Sequence, residues 1–209
     1  KYDLVAGAIE GGYRTSRRGT LDFTNRRTEG GEPNGSFAVR FTQLITDRKV
    51  REEDQTFIYH DGVAVERLGK DKQITRFKLS GKDRKVNLLK IGEGPFPIPF
   101  GQKSADILAR FDVQLLPATD GIPAERHGDV LYEDGYQLRL VPKANVKAAK
   151  EFTEARMWFT RENLTPFMAR TTKQDGGSEE LMLINIRRNE PIEDKVFDTT
   201  TPSGWSEEE

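Results

Sequence analysis

The sequence contains no cysteine. Disulfides, thiolate nucleophiles and sulfur-ligated metal sites are therefore closed to it. Histidine is nearly absent too: His60 and His127 are the only two in 209 residues, which leaves little for a catalytic apparatus or metal centre built on imidazoles. Charge of one sign is missing as well. The 33 Lys+Arg against 34 Asp+Glu give a formal net charge of −1, so no global basic field exists to hold nucleic acid or an anionic membrane surface. No apolar run approaches the roughly 18 residues of a membrane-crossing helix. Also absent are the G-x-S-x-G elbow, the H-E-x-x-H pair, the P-loop and the dinucleotide fingerprint, so no enzyme class is signalled and no cofactor is expected. The chain opens on Lys1 with no charged and apolar leader before it, and an export signal is expected to have been removed.

What is present is charge in excess and short alternating segments. Charged residues make up 32% and hydrophobic residues 35%, against roughly 25% charged in an average soluble domain, which predicts a thin core under a large polar surface. The length fits one domain, expected over 1–205, with 206–209 as a solvated acidic tail. Residues 1–35 are expected to be a polar entry. Leu4, Val5, Ala8 and Ile9 recur at helical spacing before Gly11-Gly12, and a short strand at Leu21 and Phe23 leads into a mobile loop. Arg17-Arg18 and Arg26-Arg27 read as a solvated hairpin end, with a phosphate-binding patch as the alternative.

Period two becomes clear from Ser36 to Ile45, where Phe37, Val39, Phe41 and Ile45 share a face. Gln55–His60 and Val63–Leu68 flank Asp61-Gly62, a dipeptide suited to a two-residue type I′ turn. Further strands are expected at Ile74–Leu79, Val86–Ile91, Phe111–Leu116, Val130–Glu133, Tyr136–Val141, Glu154–Thr160, Pro166–Lys173 and Glu180–Arg188. Asp134-Gly135 offers a second hairpin turn, and short helices are expected at Lys103–Arg110 and within Asn145–Phe152. Short connections make these strands antiparallel, so the fold class is mainly β with a few short helices. Gly92–Gly101 (GEGPFPIPFG) cannot form regular structure, yet Phe96, Ile98 and Phe100 demand shelter. It reads either as a plug over the core or as a lid on an apolar pocket. Trp158, between Met157 and Phe159, reads as part of a strand covered on both faces or as a pocket wall. His60 reads as a side chain at an exposed turn, and Glu125–Asp129 offers too few ligands for a cation.

Three passages together resemble a known family. FIYHDGVAVERL (Phe57–Leu68) followed by KQITRFKL (Lys72–Leu79), YQLRLVPK (Tyr136–Lys143), and the closing stretch Met157–Trp205 with Asn189, Phe197, Pro202 and Gly204 are similar, in order and spacing, to the periplasmic outer-membrane lipoprotein carriers, the LolA-like group. The resemblance spans roughly residues 36–205. It implies an incomplete, strongly curved antiparallel β-barrel with short helices at its mouth and an apolar concave cavity for acyl chains. On the matched strands it implies lining residues Phe41, Phe57, Tyr59, Phe77, Leu79, Phe167 and Leu183, with Phe96, Ile98 and Phe100 as the lid. The expected function is that of a non-catalytic carrier in the periplasm or cell envelope. Its partners would be lipid or an acylated lipoprotein, met through peripheral or transient membrane contact, with no nucleic acid. The alternative is an envelope sensor or scaffold that uses the same face for a protein partner.

Overall fold

The computed structural model describes residues 1–10, 13–27, 33–77 and 104–208, the side chains of 25–27 and 33–34 excepted. Strands dominate: β1 (Tyr2–Glu10), β2 (Tyr13–Arg27), β3 (Pro33–Thr46), β4 (Lys49–His60), β5 (Val63–Leu68), β6 (Gln73–Phe77), β7 (Phe111–Leu116), β8 (Gly135–Pro142), β9 (Phe152–Thr160), β10 (Pro166–Lys173), β11 (Ser178–Ile184) and β12 (Ser206–Glu208). The helices are short: α1 (Ser104–Arg110), α2 (Val130–Glu133) and α3 (Ala148–Glu151). The strands form one sheet in the order β12-β6-β5-β4-β3-β2-β1-β11-β10-β9-β8-β7, with β12 and β7 at its two ends, so it is open rather than a closed barrel. The fold class expected from sequence is thus the one the chain adopts. Neighbours run antiparallel in the ladders resolved residue by residue, except that β12 lies parallel to β6.

Turn chemistry sets the register of the first strands. Asp61 and Gly62 both have positive φ, 48° and 78°, as a type I′ turn demands, and they join β4 to β5 where the sequence placed a hairpin. Asp47 and Arg48 do the same between β3 and β4, with φ of 50° and 63°. Gly19 is required for a different reason. It faces Phe41 at a bulge in the β2–β3 ladder, and a Cβ there would lie 1.8 Å from the Arg40 carbonyl oxygen.

Four expectations are corrected. Residues 2–10 form a strand, not helical turns: β1 stands between β2 and β11, and Leu4 is buried. The short strand expected at Leu21 and Phe23 is part of β2, a 15-residue strand paired with β3 from Thr15 to Arg27, which runs on into the expected mobile loop; residues 28–32 of that loop lie outside the described residues. Backbone pairing on an inner strand holds β2 although its side chains are largely Arg, Thr and Ser. Val130–Glu133 is a helical turn, because the Tyr132 amide bonds back to the Asp129 carbonyl and the ring is buried, so Asp134-Gly135 ends a helix instead of joining two strands. The acidic tail is not free either. Ser206–Glu208 pairs with Gln73–Thr75, and Glu207 accepts from Arg76 Nε at 2.9 Å. The expected strand Val86–Ile91, Leu79 and the whole Gly92–Gly101 segment lie outside the described residues.

By its contacts the chain divides into two compact units, one of Lys1–Ala6, Arg14–Leu88 and Ile184–Glu209, the other of Gly7–Tyr13 and Leu89–Leu183. In the first unit, Ala38, Ile58, Val65 and Ile74 form one face of β3–β6, and the closing segment covers it. Phe197 is buried among them, and Ile192, Val196 and Trp205 pack alongside. Phe197 and Trp205 of the closing stretch therefore serve to cover this face. In the second unit, Phe111, Leu140, Ala148, Phe152, Ala155 and Met157 form one core, and Ala118, Ile122, Tyr132, Trp158, Phe167 and Met168 form another.

Candidate functional site

Directly opposed residues of an antiparallel ladder share a face, and so do alternate residues of one strand. In the first unit Leu21 and Phe23 oppose Val39 and Phe37; Phe37, Val39 and Phe41 oppose Tyr59, Phe57 and Gln55; Tyr59 opposes Ala64, which in turn opposes Phe77. One face of β2–β6 therefore carries an aromatic row, opposite to the face that the C-terminal segment covers. Its rings touch: Phe37 stacks on Tyr59 with centroids 5.8 Å apart, and Phe57 meets Phe41 edge-on at 6.4 Å. Burial falls off across the row. Phe37 and Phe41 are buried, Phe57 and Tyr59 are half-buried, and Phe77 is 45% exposed. Burial, then the nearby Asp61 charge, pushes the Tyr59 phenol above its ordinary range, so it stays neutral at physiological pH.

Of the expected lining residues, the structure thus brings Phe41, Phe57, Tyr59 and Phe77 together. Phe167 and Leu183 belong to the second unit. An extra residue in β10 between Pro166 and Met168 turns Phe167 into the Trp158 cluster, where its ring meets Tyr132 at 5.8 Å. Leu183 lies two residues beyond Leu181, which opposes Ala169, and both leucines are buried. Leu79, Phe96, Ile98 and Phe100 fall outside the described residues.

At the β2–β4 end the aromatic row meets a polar group that includes Arg17, which the sequence had placed at a solvated hairpin end with a phosphate-binding patch as the alternative. The Arg17 guanidinium lies 5.5 Å from the Phe41 ring centre, and its Nε is 3.1 Å from Glu53 Oε1. Gln55, opposite Phe41, donates through Nε2 to Glu66 Oε1 at 2.5 Å. Arg17 Nε, Glu53 Oε2 and Gln55 Oε1 are shielded from solvent without a hydrogen-bond partner; the Arg17–Glu53 approach is close but misaligned. Nothing local in the sequence could reveal this, because pairing joins residues of separate strands. Phe37 and Leu21 were legible as alternating apolar positions.

The two histidines are engaged structurally. His60 shares a 2.8 Å hydrogen bond between Nδ1 and Ser36 Oγ and stacks on Phe197, while His127 Nε2 lies 2.7 Å from the Ile122 carbonyl oxygen. His60 is therefore half-buried, not the exposed turn residue expected. Trp158 follows the reading of a strand covered on both sides: it is fully buried and its Nε1–H donates to the Ala118 carbonyl at 2.8 Å.

No protein-family model matches the sequence, and no curated protein matches it. Among solved structures, the chain is similar to a DUF1329 family protein from Desulfovibrio piger (14% identity, 95% of this chain and 88% of that one, TM-score 0.42). It is also similar to a domain assigned to outer membrane lipoprotein sorting from Vibrio parahaemolyticus (13%, 94% and 88%, 0.39). A third is a LolA superfamily protein from Nitrosomonas europaea (12%, 95% and 90%, 0.27). These neighbours include the group that the sequence passages resemble, and their low identities leave function to the chain's own residues.

Proposed function

We propose that this chain is a non-catalytic carrier of the cell envelope that holds the acyl chains of a lipid or an acylated lipoprotein against the aromatic face of β3–β6. The observation that carries the reading is the graded row Phe41, Phe57, Tyr59 and Phe77 on one face, closed at one end and open at Phe77. An acyl chain laid along it would remove apolar surface from water at roughly 25 cal/mol per Å², with no directional demand on the ligand. The test is mass spectrometry of an organic extract of the protein purified from envelope fractions. Acyl lipid in stoichiometric amount supports the reading. A lipid-free protein that also fails to bind an uncharged fluorescent acyl glyceride contradicts it and favours a protein partner for the same face.

A further inference from the structure

We propose that β7 is a docking edge for a second copy of this chain, the two β7 strands pairing antiparallel about a two-fold axis through Val113. The inference stands on the second unit alone and goes beyond the acyl-binding reading. The two ends of the sheet differ in kind. At one end β12 is three residues long, lies parallel to its neighbour and carries Glu207 and Glu208, both exposed. Short, charged end strands resist further pairing. At the other end β7 runs six residues, FDVQLL, in an unbroken ladder with β8, with no proline, no lysine, no bulge and a single charge, Asp112. No strand lies on its outer side among the described residues.

The phase of the ladder tells which backbone groups face outward. The Lys143 amide donates to the Arg110 carbonyl at 2.9 Å, in register with Phe111 opposite Pro142. Hydrogen-bonded pairs alternate along an antiparallel ladder, so Asp112 and Gln114 turn their N–H and C=O groups toward β8, and Val113 and Leu115 turn theirs away from it. The same two residues carry apolar side chains that stay partly open. Val113 is half-buried and Leu115 is 64% exposed, on the face of the buried Phe111. A strand added there would engage the outward groups and cover Leu115.

The side chains select the occupant and the register. With the axis through Val113, that residue opposes its own copy, Phe111 opposes Leu115, and Asp112 opposes Gln114. Apolar groups meet on one face, and on the other each carboxylate meets an amide instead of its own copy. Moving the axis to Gln114 would set Asp112 against Leu116 and leave Phe111 outside the pairing.

Sedimentation velocity of the full chain over about 1–100 µM should show a reversible dimer, and Leu115→Glu, with an unchanged circular dichroism spectrum, should weaken it at least about tenfold. Because the chain has no cysteine, single substitutions report the register. Val113→Cys should form a disulfide-linked dimer in oxidised glutathione, since residues opposed at a hydrogen-bonded position lie about 5.5 Å apart between Cα atoms. Gln114→Cys should link about tenfold more slowly, its counterpart being displaced along the strand. A wild-type chain that stays monomeric across that range overturns the inference. So does a dimer that Leu115→Glu leaves intact, or one in which Gln114→Cys links as fast as Val113→Cys. If a cysteine variant fails to fold, the wild-type and Leu115→Glu sedimentation decide.

Discussion

The two units carry sheet faces of similar ingredients with opposite outcomes. In the second unit, arginines, glutamates, Gln137 and Trp158 share a face of β8–β11, and their polar atoms are used to hold down the segment 117–121. Gln137 donates to the carbonyls of Pro117, Ala118 and Asp120, Trp158 to Ala118, Arg156 to Asp120, and Arg170 to Gly121. Glu154 takes hydrogen bonds from Arg139 and Arg156, and Glu180 takes two from Arg170. In the first unit, Arg17, Glu53 and Gln55 retain orphan atoms beside an aromatic row, whereas none of the orphan side-chain atoms among the described residues belongs to the second unit. A satisfied polar face closes over the chain's own loop. In the first unit the polar atoms beside buried and half-buried rings are left without such partners.

The comparison breaks most severely at Trp158. Trp158→Ala removes the largest fully buried side chain of the second unit and the donor to Ala118. It should cost about 3–5 kcal/mol, read as a lower midpoint in urea unfolding. Phe57→Glu, on the half-buried row of the first unit, should leave far-UV circular dichroism unchanged while abolishing binding of the acyl glyceride. Gly19→Ala should cost about 1–3 kcal/mol, because its methyl meets the Arg40 carbonyl, a backbone atom that can yield only if the bulge shifts. A urea midpoint equal to wild type would show that the bulge gives way freely.

The smallest effect is electrostatic. Burial would raise the Glu154 carboxyl, but hydrogen bonds from Arg156 and Arg139, and their charges, outweigh it and hold the group below its ordinary range. A carboxyl depressed in the folded state contributes stability that is fully present above its unfolded value, about 4.3. That contribution is lost as pH falls through the lower folded value. Stability should therefore decline below about pH 4, and Glu154→Gln should flatten that part of the profile. An unchanged acid limb in the variant would mean that Glu154 does not contribute there.

Legibility in the sequence followed the range of the interactions. The Asp61-Gly62 turn, β7 and β10 were readable because local turn chemistry and alternation specify them. The family resemblance implied Phe41, Phe57, Tyr59 and Phe77 as lining residues, and the ladders from β3 to β6 put these four on one face. The N-terminal strands were hidden. Residues 4, 5, 8 and 9 fit a helical period by coincidence, and β2 owes its order to neighbouring strands, not to its own side chains. Phe167 lies in the second unit, where an extra residue in β10 accompanies its place in the Trp158 cluster, and a bulge leaves no mark on the hydrophobic pattern. The polar end of the row was unreadable for the same reason, since Arg17 meets Glu53 only through the pairing of three strands.

The central claim is that the aromatic face of the first unit binds acyl chains, and the most direct measurement is titration of the uncharged acyl glyceride against wild-type, Phe57→Glu and Leu115→Glu chains. Leu115 is an exposed residue of the second unit, 64% accessible, and serves as the control. The account predicts saturable binding to the wild-type and Leu115→Glu chains and none to Phe57→Glu. Equal binding by all three, or by none, would contradict it.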